Sequence, residues 1–479
     1  MHVFILLIAL LEWFTTLAIQ MIALRVAAPI VWSSVIVTSV YIWIILLALS
    51  WGYYVWWKVA SIHKKHNLAG ILAIFLFISA IYYGAITFGM HQYLLNFFLH
   101  FTQNYLVTLF LTAILLFFIP VFIAAQTIPL LTEINTIHSK WMAAWSMLFW
   151  STIWSFLWSV WTTILLFPRI GIIRTSVLSV IILLLASLLS FLLYSTKYRI
   201  AQIVLFLVLS AWITYWWYTA HPRDVFRFDS AYQQIIIDEF TLQWDKIRLF
   251  LTDGAFASGI FTHTKESPFW YIREAVTITE KLQPNNVLVL WTAWFTYPYE
   301  IVTKWFAQHV DAIDIDPDVY RIAQEHFLET QLPDTIVFYP QSARYFVRWA
   351  IQEWKGYDLI FVDAFNGKQI PDELITQEFF QAIQSITNPW WTILFNMILD
   401  KELETTLAQN ILTTLNTVFP TIYTKNVWTN PDSHVNNFIL STKALTDYTP
   451  TFREGEVYTD NKRTSESDIL SFLQREVMR

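Results

Sequence analysis

The spacing of apolar and polar positions divides the chain into two halves. Up to residue 220 it consists of long apolar runs near 4–28, 34–57, 68–89, 104–130, 141–167, 172–194 and 199–218. A helix needs about 20 apolar residues to cross a bilayer, so this half predicts an α-helical membrane domain over 1–220 with about seven spans. A shorter stretch at 92–102 fits an interfacial or re-entrant segment. The N-terminus is too long and apolar for a cleaved leader alone and reads as the first span. From Ser230 to about His263 the pattern becomes an alternation, with Thr252-Asp253-Gly254 as a turn between strands. This predicts a small β-subdomain over 228–283. Beyond it, short apolar runs alternate with helical patterns. The strands are Val287–Leu290, Val310–Ile315, Thr335–Phe338, Asp358–Val362, Thr392–Phe395 and two near 420–427 and 436–441. Helices begin near Thr296, Pro317 and Ser342, and cover Thr376–Ile386 and Lys401–Val418. Such alternation predicts a Rossmann-like α/β domain over 284–445 with a mainly parallel, doubly wound sheet, ligands at the carboxyl ends of its strands, and a tail over 446–479.

Charge follows the same division. Residues 1–220 hold nine Lys and Arg against two acids, Glu12 and Glu133. Residues 221–479 hold 21 against 34, so the net charges are +7 and −13. No basic patch suits nucleic acid. The chain has no cysteine, which excludes disulfides, zinc–thiolate sites and thiol nucleophiles. Lys58, Lys64 and Lys65 follow the second run and argue that this loop is cytoplasmic, with the N-terminus inside. Seven spans would then leave the second half outside, whereas a nucleotide-using domain belongs in the cytosol. With 92–102 as a further crossing, or with the charge rule overridden, the second half is expected to be cytoplasmic in a multi-pass cell-membrane protein. Glu12, Gln20 and Arg25 lie in or near the first run, where ionisable groups either serve a function or pair inside the bundle.

The stretch Val287–Glu300 combines a buried strand, a tight turn and a helix, which is how a Rossmann-type nucleotide site begins. That turn requires glycine, which accepts positive φ and lets phosphate or ribose approach the backbone. Trp291 and Trp294 stand there instead. Composition bears on this. Glycine occurs 10 times and tryptophan 25 times in 479 residues, whereas a chain of this length usually carries about 34 glycines. Together the two types number 35. One explanation is that many tryptophans are glycines in the living protein, through a genome that reads UGA as glycine. The other is a Trp-rich membrane protein with aromatic belts. The recoding reading is favoured where tryptophan occupies glycine chemistry. Pro389-Trp390-Trp391-Thr392 becomes an ordinary turn as P-G-G-T, and glycine at 150, 154 and 158 makes a small-residue ridge for helix packing.

Three strand ends offer candidate chemistry. Asp363 closes Tyr357-Asp358-Leu359-Ile360-Phe361-Val362-Asp363 and can take a proton from an amine, or serve as a cap or ion-pair partner. Asp314 ends Val310–Asp316, where an acid suits ribose hydroxyls, or it precedes the helix start at Asp316-Pro317 as an ordinary acid. Gln341-Ser342-Ala343-Arg344 follows the third strand and either reads an adenine edge or supplies a helix cap at Ser342. Asn396 also closes a strand.

These residues carry a family resemblance. The second half resembles the spermidine synthases, the polyamine aminopropyltransferases, with their class I methyltransferase-like fold, and most of all their membrane-fused relatives. Ser230-Ala231-Tyr232-Gln233 resembles the family's S-x-Y-Q, and Thr252-Asp253-Gly254 its L-D-G turn. Val287–Trp294 matches the glycine motif only with glycine at 291 and 294. The stretch from Ile370 to Phe380 and Pro389–Asn396 resemble later motifs, and Leu49–Lys58 resembles L-G-Y-x-x-G-G-K with Trp56 and Trp57 in glycine positions. The resemblance implies a catalytic Asp363. It implies an adenosyl site at Gln233, Trp291, Trp294, Asp314, Ser342 and Ala343, and an amine site at Tyr232, Asp363 and Asn366. It departs from the family at Ser342, where an acid is expected, at Asn366, where an aspartate is expected, and around Tyr271, where Y-x-E is poorly kept.

The resemblance implies aminopropyl transfer from decarboxylated S-adenosylmethionine, as co-substrate, to a diamine such as putrescine. It implies no resident cofactor and no metal. The partners implied are a polyamine and an adenosyl nucleoside, with membrane lipid and a possible homodimer. Alternatives are a methyltransferase using S-adenosylmethionine, and a membrane transporter or sensor with a degenerate synthase domain.

Overall fold

The computed structural model describes residues 2–472 apart from 32–34, 64, 86–96, 99, 103–104, 135–139, 195–198, 221–224, 243–244, 254, 364–370, 430–433, 462–464, 466–467 and 470. The chain forms two compact units, Met1–Arg223 and Asp224–Arg479.

The first unit is helical, and among its described residues six helices are long and apolar enough to cross a membrane. About seven were expected from the sequence. The seventh run also forms a helix, Arg199–Ala220, whose described residues include the shorter apolar stretch Ile203–Tyr215. The expected interfacial segment at 92–102 lies largely outside the described residues. The fourth run is not one continuous α-helix. It passes from Tyr105–Ala113 through a π-helical turn at Ile114–Phe118 to Ile119–Ala124, breaks at Ala125 and Gln126, and resumes as Thr127–Ile134. Gly52 explains how the helix Val35–Ile62 meets this segment so closely. A Cβ there would come within 2.5 Å of the Ala125 Cβ and 3.0 Å of the Phe122 carbonyl oxygen.

The second unit opens with a four-stranded antiparallel meander: β1 (Phe226–Asp229), β2 (Gln234–Leu242), β3 (Asp245–Thr252) and β4 (Ala255–Phe261). The helix Trp270–Leu282 follows. Then come β5 (Asn286–Leu290), β6 (His309–Asp314), β7 (Ile336–Pro340), β8 (Tyr357–Val362), β9 (Thr387–Asp400), β10 (Ile422–Thr429), β11 (Val435–Ser441) and β12 (Thr449–Thr451). They form one sheet in the order β12-β10-β11-β9-β8-β5-β6-β7. β5 to β9 are mutually parallel, and β10 to β12 add antiparallel pairs. Every residue of β8, and all of β5 after Asn286, is buried. Parallel strands are covered by helices on both faces, so they read as unbroken apolar runs.

One local expectation is corrected. Pro389–Thr392 is not a turn ahead of a short strand but part of the long β9. Thr387 pairs with Tyr357 and pairing resumes at Thr392 with Leu359, so 388–391 bulge opposite Asp358. Asn388 Nδ2 donates to Asp358 Oδ1 at 2.8 Å across the bulge. Trp390, at its crest, is 92% exposed with φ 75°.

The segment beyond 445 is packed rather than free. β12 pairs with β10, Tyr458 is fully buried, and Arg344 donates in bidentate fashion to Asp460 at 2.7 and 2.6 Å.

Candidate active site

The strand order reverses between β5 and β8, and ligands of open α/β sheets bind in the crevice outside the carboxyl ends at that point. Two backbone bonds draw the strand ends together there. The Asp363 N–H donates to the Leu290 carbonyl at 3.1 Å, and the Trp291 N–H donates to the Ile313 carbonyl at 2.9 Å.

Asp363 is buried at the end of β8. Asn396 Nδ2, from β9, donates to its Oδ1 at 2.6 Å. The Tyr271 hydroxyl lies beside the same carboxylate, with the Ala257 carbonyl also within its reach at 3.2 Å. Burial pushes the Asp363 pKa up to about 7, with the bonds from Asn396 and Tyr271 opposing the rise. Asn396 Oδ1 is buried and has no hydrogen-bond partner among the described residues. This corner therefore presents a carboxylate and an unmatched carboxamide oxygen, which are acceptors for N–H donors.

Asp314 ends β6, also buried, and burial pushes its pKa up to about 7. The Asp316 N–H donates to its Oδ1 at 2.9 Å, and Thr292 Oγ1 approaches its Oδ2 at 3.4 Å. Asp316 in turn accepts from Gln233 Nε2 at 3.0 Å and from the Asp318 N–H at 3.1 Å. Gln233 of the β-subdomain is thus tied through Asp316 to the end of β6. Tyr232 is exposed beside it. Ser342 is exposed and its Oγ accepts from the Tyr345 N–H at 3.3 Å, capping the helix Ala343–Gln352 that Ala343 begins. Asn366 lies outside the described residues. Three participants carried no sequence-based assignment of a role. Asn396 was visible only as a strand end, Asp316 only as a helix start, and Tyr271 only as a departure from Y-x-E.

The turn after β5 has three left-handed residues, Trp291 (φ 70°), Trp294 (φ 57°) and Phe295 (φ 64°). The Trp294 ring is buried and stacks on Phe250 of β3 with centroids 3.6 Å apart. It fills the space beneath the turn. Among the described residues, twelve non-glycine residues have positive φ and five of these are tryptophan: 291, 294, 305, 354 and 390. Trp305 and Trp354 end helices. The Phe306 N–H donates to Ile301 and the Trp305 N–H to Val302, at 2.8 and 3.0 Å. The Lys355 N–H likewise donates to Ala350 and the Trp354 N–H to Ile351, at 2.9 and 3.3 Å. This paired bonding is the Schellman motif, whose left-handed residue is usually glycine. The two rings are 87% and 94% exposed, so they gain almost no burial in exchange for the strained backbone.

The two raised carboxylates make a stability prediction. Each binds a proton more tightly in the fold than in the unfolded chain, where an aspartate titrates near 3.8. Their contribution is therefore fully present below about pH 4 and is lost as pH rises to about 7. Thermal unfolding of the ligand-free chain at pH 5 and pH 8 should show a fall with pH, and the fall should shrink in the Asp314→Asn, Asp363→Asn double variant. An identical pH response in the two proteins would contradict the burial of these groups.

No family model matches the chain. Over 104 residues, 22% of its length, the chain is 30% identical to the polyamine aminopropyltransferase of Vibrio vulnificus (strain CMCP6), covering 34% of that protein. Over 135 residues, 28% of its length, it is 24% identical to a probable polyamine aminopropyl transferase of Bifidobacterium longum (strain NCC 2705), covering 29% of it. The chain thus spans about a third of the length of these curated relatives. A probable spermidine synthase from Corynebacterium glutamicum ATCC 13032 superposes with a TM-score of 0.39 at 18% identity, over 46% of this chain and 80% of that one. Spermidine synthase from Thermotoga maritima superposes with a TM-score of 0.36 at 18% identity, over 53% and 87%. Over part of its length, the chain is similar to polyamine aminopropyltransferases.

Proposed function

We propose that the second unit transfers an aminopropyl group from decarboxylated S-adenosylmethionine to a diamine such as putrescine. The observation that carries this reading is the corner formed by Asp363 and Asn396, a buried carboxylate and an unmatched amide oxygen at the sheet's switch point. Those acceptors suit an amine. The amine lone pair attacks the carbon next to the sulfonium, the carbon–sulfur bond breaks, and methylthioadenosine leaves with the electron pair. The new ammonium gives its proton to Asp363, whose pKa near 7 suits a base working at neutral pH. Asp314 would hold the ribose hydroxyls, with Gln233 positioned through Asp316. The partial sequence similarity to polyamine aminopropyltransferases supports the same reading. The test is transfer by the purified chain, offered decarboxylated S-adenosylmethionine or S-adenosylmethionine with several diamines. Methylthioadenosine released only from the decarboxylated donor is the expected result. Methyl transfer from S-adenosylmethionine would make the domain a methyltransferase. Nucleoside binding without any transfer would favour a sensor.

We also infer that tryptophans 291, 294, 305, 354 and 390 are glycines in the protein as made, through UGA read as glycine. The left-handed backbone at all five supports this. TGA is expected at these codons and at 391, and TGG at all of them would end the proposal. The helical unit is proposed to lie in the cell membrane with the second unit in the cytoplasm. Large apolar side chains exposed along its helices, such as Leu46, Ile81, Phe149 and Val208, support insertion.

A further inference from the structure

The helical unit holds a buried carboxylate that the transfer chemistry does not use. Glu12, Thr16 and Gln20 lie one helical turn apart on one face of the helix His2–Val31. They line a cavity of about 360 Å³. Tyr53 closes one side and Ser151, Thr152 and Ser155 another. The fourth wall is the break after Ile119–Ala124, through Ala125 and Thr127. Thr16 Oγ1 donates to Glu12 Oε1 at 2.6 Å, but Glu12 Oε2 has no hydrogen-bond partner within the distance of a normal bond among the described residues. No salt bridge involves Glu12 among the described residues. The Thr127 hydroxyl lies beside the Glu12 carboxylate, and both side-chain polar atoms of the neighbouring Gln126 are buried without a hydrogen-bond partner among the described residues.

A carboxylate oxygen buried without a partner costs several kcal/mol unless it takes up a proton or a cation meets it. Interrupted helices of this sort place free backbone groups and polar side chains around bound ions and substrates. We propose that this cavity is a binding site for a primary alkylammonium ion. Its ammonium has three donors, enough for Glu12 Oε2 and neighbouring hydroxyls. Leu17, Leu49, Ile128 and Phe156 supply apolar wall for the alkyl chain. A bare metal ion would leave most of the volume empty and most of the wall without a role. None of the polar groups invoked is a tryptophan, although Trp13 forms part of the cavity wall. The site is independent of the proposed transfer reaction, which uses the other unit.

The test uses the full chain in detergent micelles and radiolabelled n-butylamine in equilibrium dialysis. One saturable site is expected to weaken by about 30-fold or more in Glu12→Gln, since truncating one partner of a buried charge pair costs at least about 2 kcal/mol. The site should persist in Asp363→Asn, which separates it from the proposed transfer site. A second readout needs no variant. Dicyclohexylcarbodiimide attacks protonated carboxyls in apolar surroundings, and the tryptic peptide ending at Arg25 has Glu12 as its only acidic side chain. n-Butylamine should slow labelling of that peptide, and potassium at equal concentration should not. Absence of saturable binding, undiminished binding in Glu12→Gln, or equal protection by potassium would each overturn the proposal.

Discussion

Asp363→Asn is expected to lower turnover about 10²–10⁴-fold, the usual cost of losing a general base, while leaving nucleoside affinity nearly unchanged. The substitution preserves size and keeps an oxygen that can accept from Asn396 Nδ2, the donor now 2.6 Å away. It removes only the ability to accept a proton. Without that acceptor, the new carbon–nitrogen bond forms on a nitrogen that must remain positively charged inside a buried corner. Under the proposed function, the parent chain should lose activity below about pH 7, where burial keeps Asp363 protonated, and the variant should lose this limb of the profile. Asp314→Asn should behave differently, weakening nucleoside binding with less effect on the bound complex's turnover, because the acceptor proposed for the ribose hydroxyls can no longer carry a charge. The measurements are single-turnover rates and methylthioadenosine titration in the chain with glycine at 291 and 294. Parental turnover in Asp363→Asn would make this carboxylate structural and remove the proposed mechanism.

Glycine at both 291 and 294 should tighten methylthioadenosine binding by about two to three orders of magnitude, or about 3–4 kcal/mol. The Trp294 ring occupies the space between the turn and Phe250, and under the proposed function a ribose must approach this turn's backbone, which glycine at 291 and 294 would leave open. Removing the buried ring leaves a cavity, which on its own costs about 3–5 kcal/mol of stability. Release of two left-handed non-glycine positions offsets about 1–2 kcal/mol each, and ligand occupancy offsets more. The variant should therefore gain stability on adding methylthioadenosine far more than the Trp form does. Calorimetric titration of both proteins decides the matter, and tight binding by the tryptophan form would sink the argument.

Much of this was legible before any coordinates. The unbroken apolar runs at Val287–Leu290 and Asp358–Val362 located the central strands because parallel strands are buried on both faces. Acids closing such strands marked Asp314 and Asp363. What stayed hidden depended on contacts between distant segments. Nothing local to Tyr271 says that its hydroxyl reaches the end of β8, and nothing local to Asp316 says that Gln233, 83 residues earlier, donates to it. The bulge at 388–391 reads as a turn because both need left-handed backbone, and only the pairing on either side separates them. The break at Ala125 and Gln126 sits inside an apolar run whose composition is the same whether or not the helix continues.

The Arg344–Asp460 pair has a consequence for how the protein is made. The two residues are 116 positions apart, and Thr376, which donates to Asp460 at 2.9 Å, is 84 away. A chain emerging from the ribosome can assemble β5 to β8 early, but Arg344 has no carboxylate there until residue 460 has been made. Closing so long a loop late is entropically slow. The nascent second unit must wait with the end of the helix Ala343–Gln352 unlatched, a period in which chaperone binding and misassembly compete with completion.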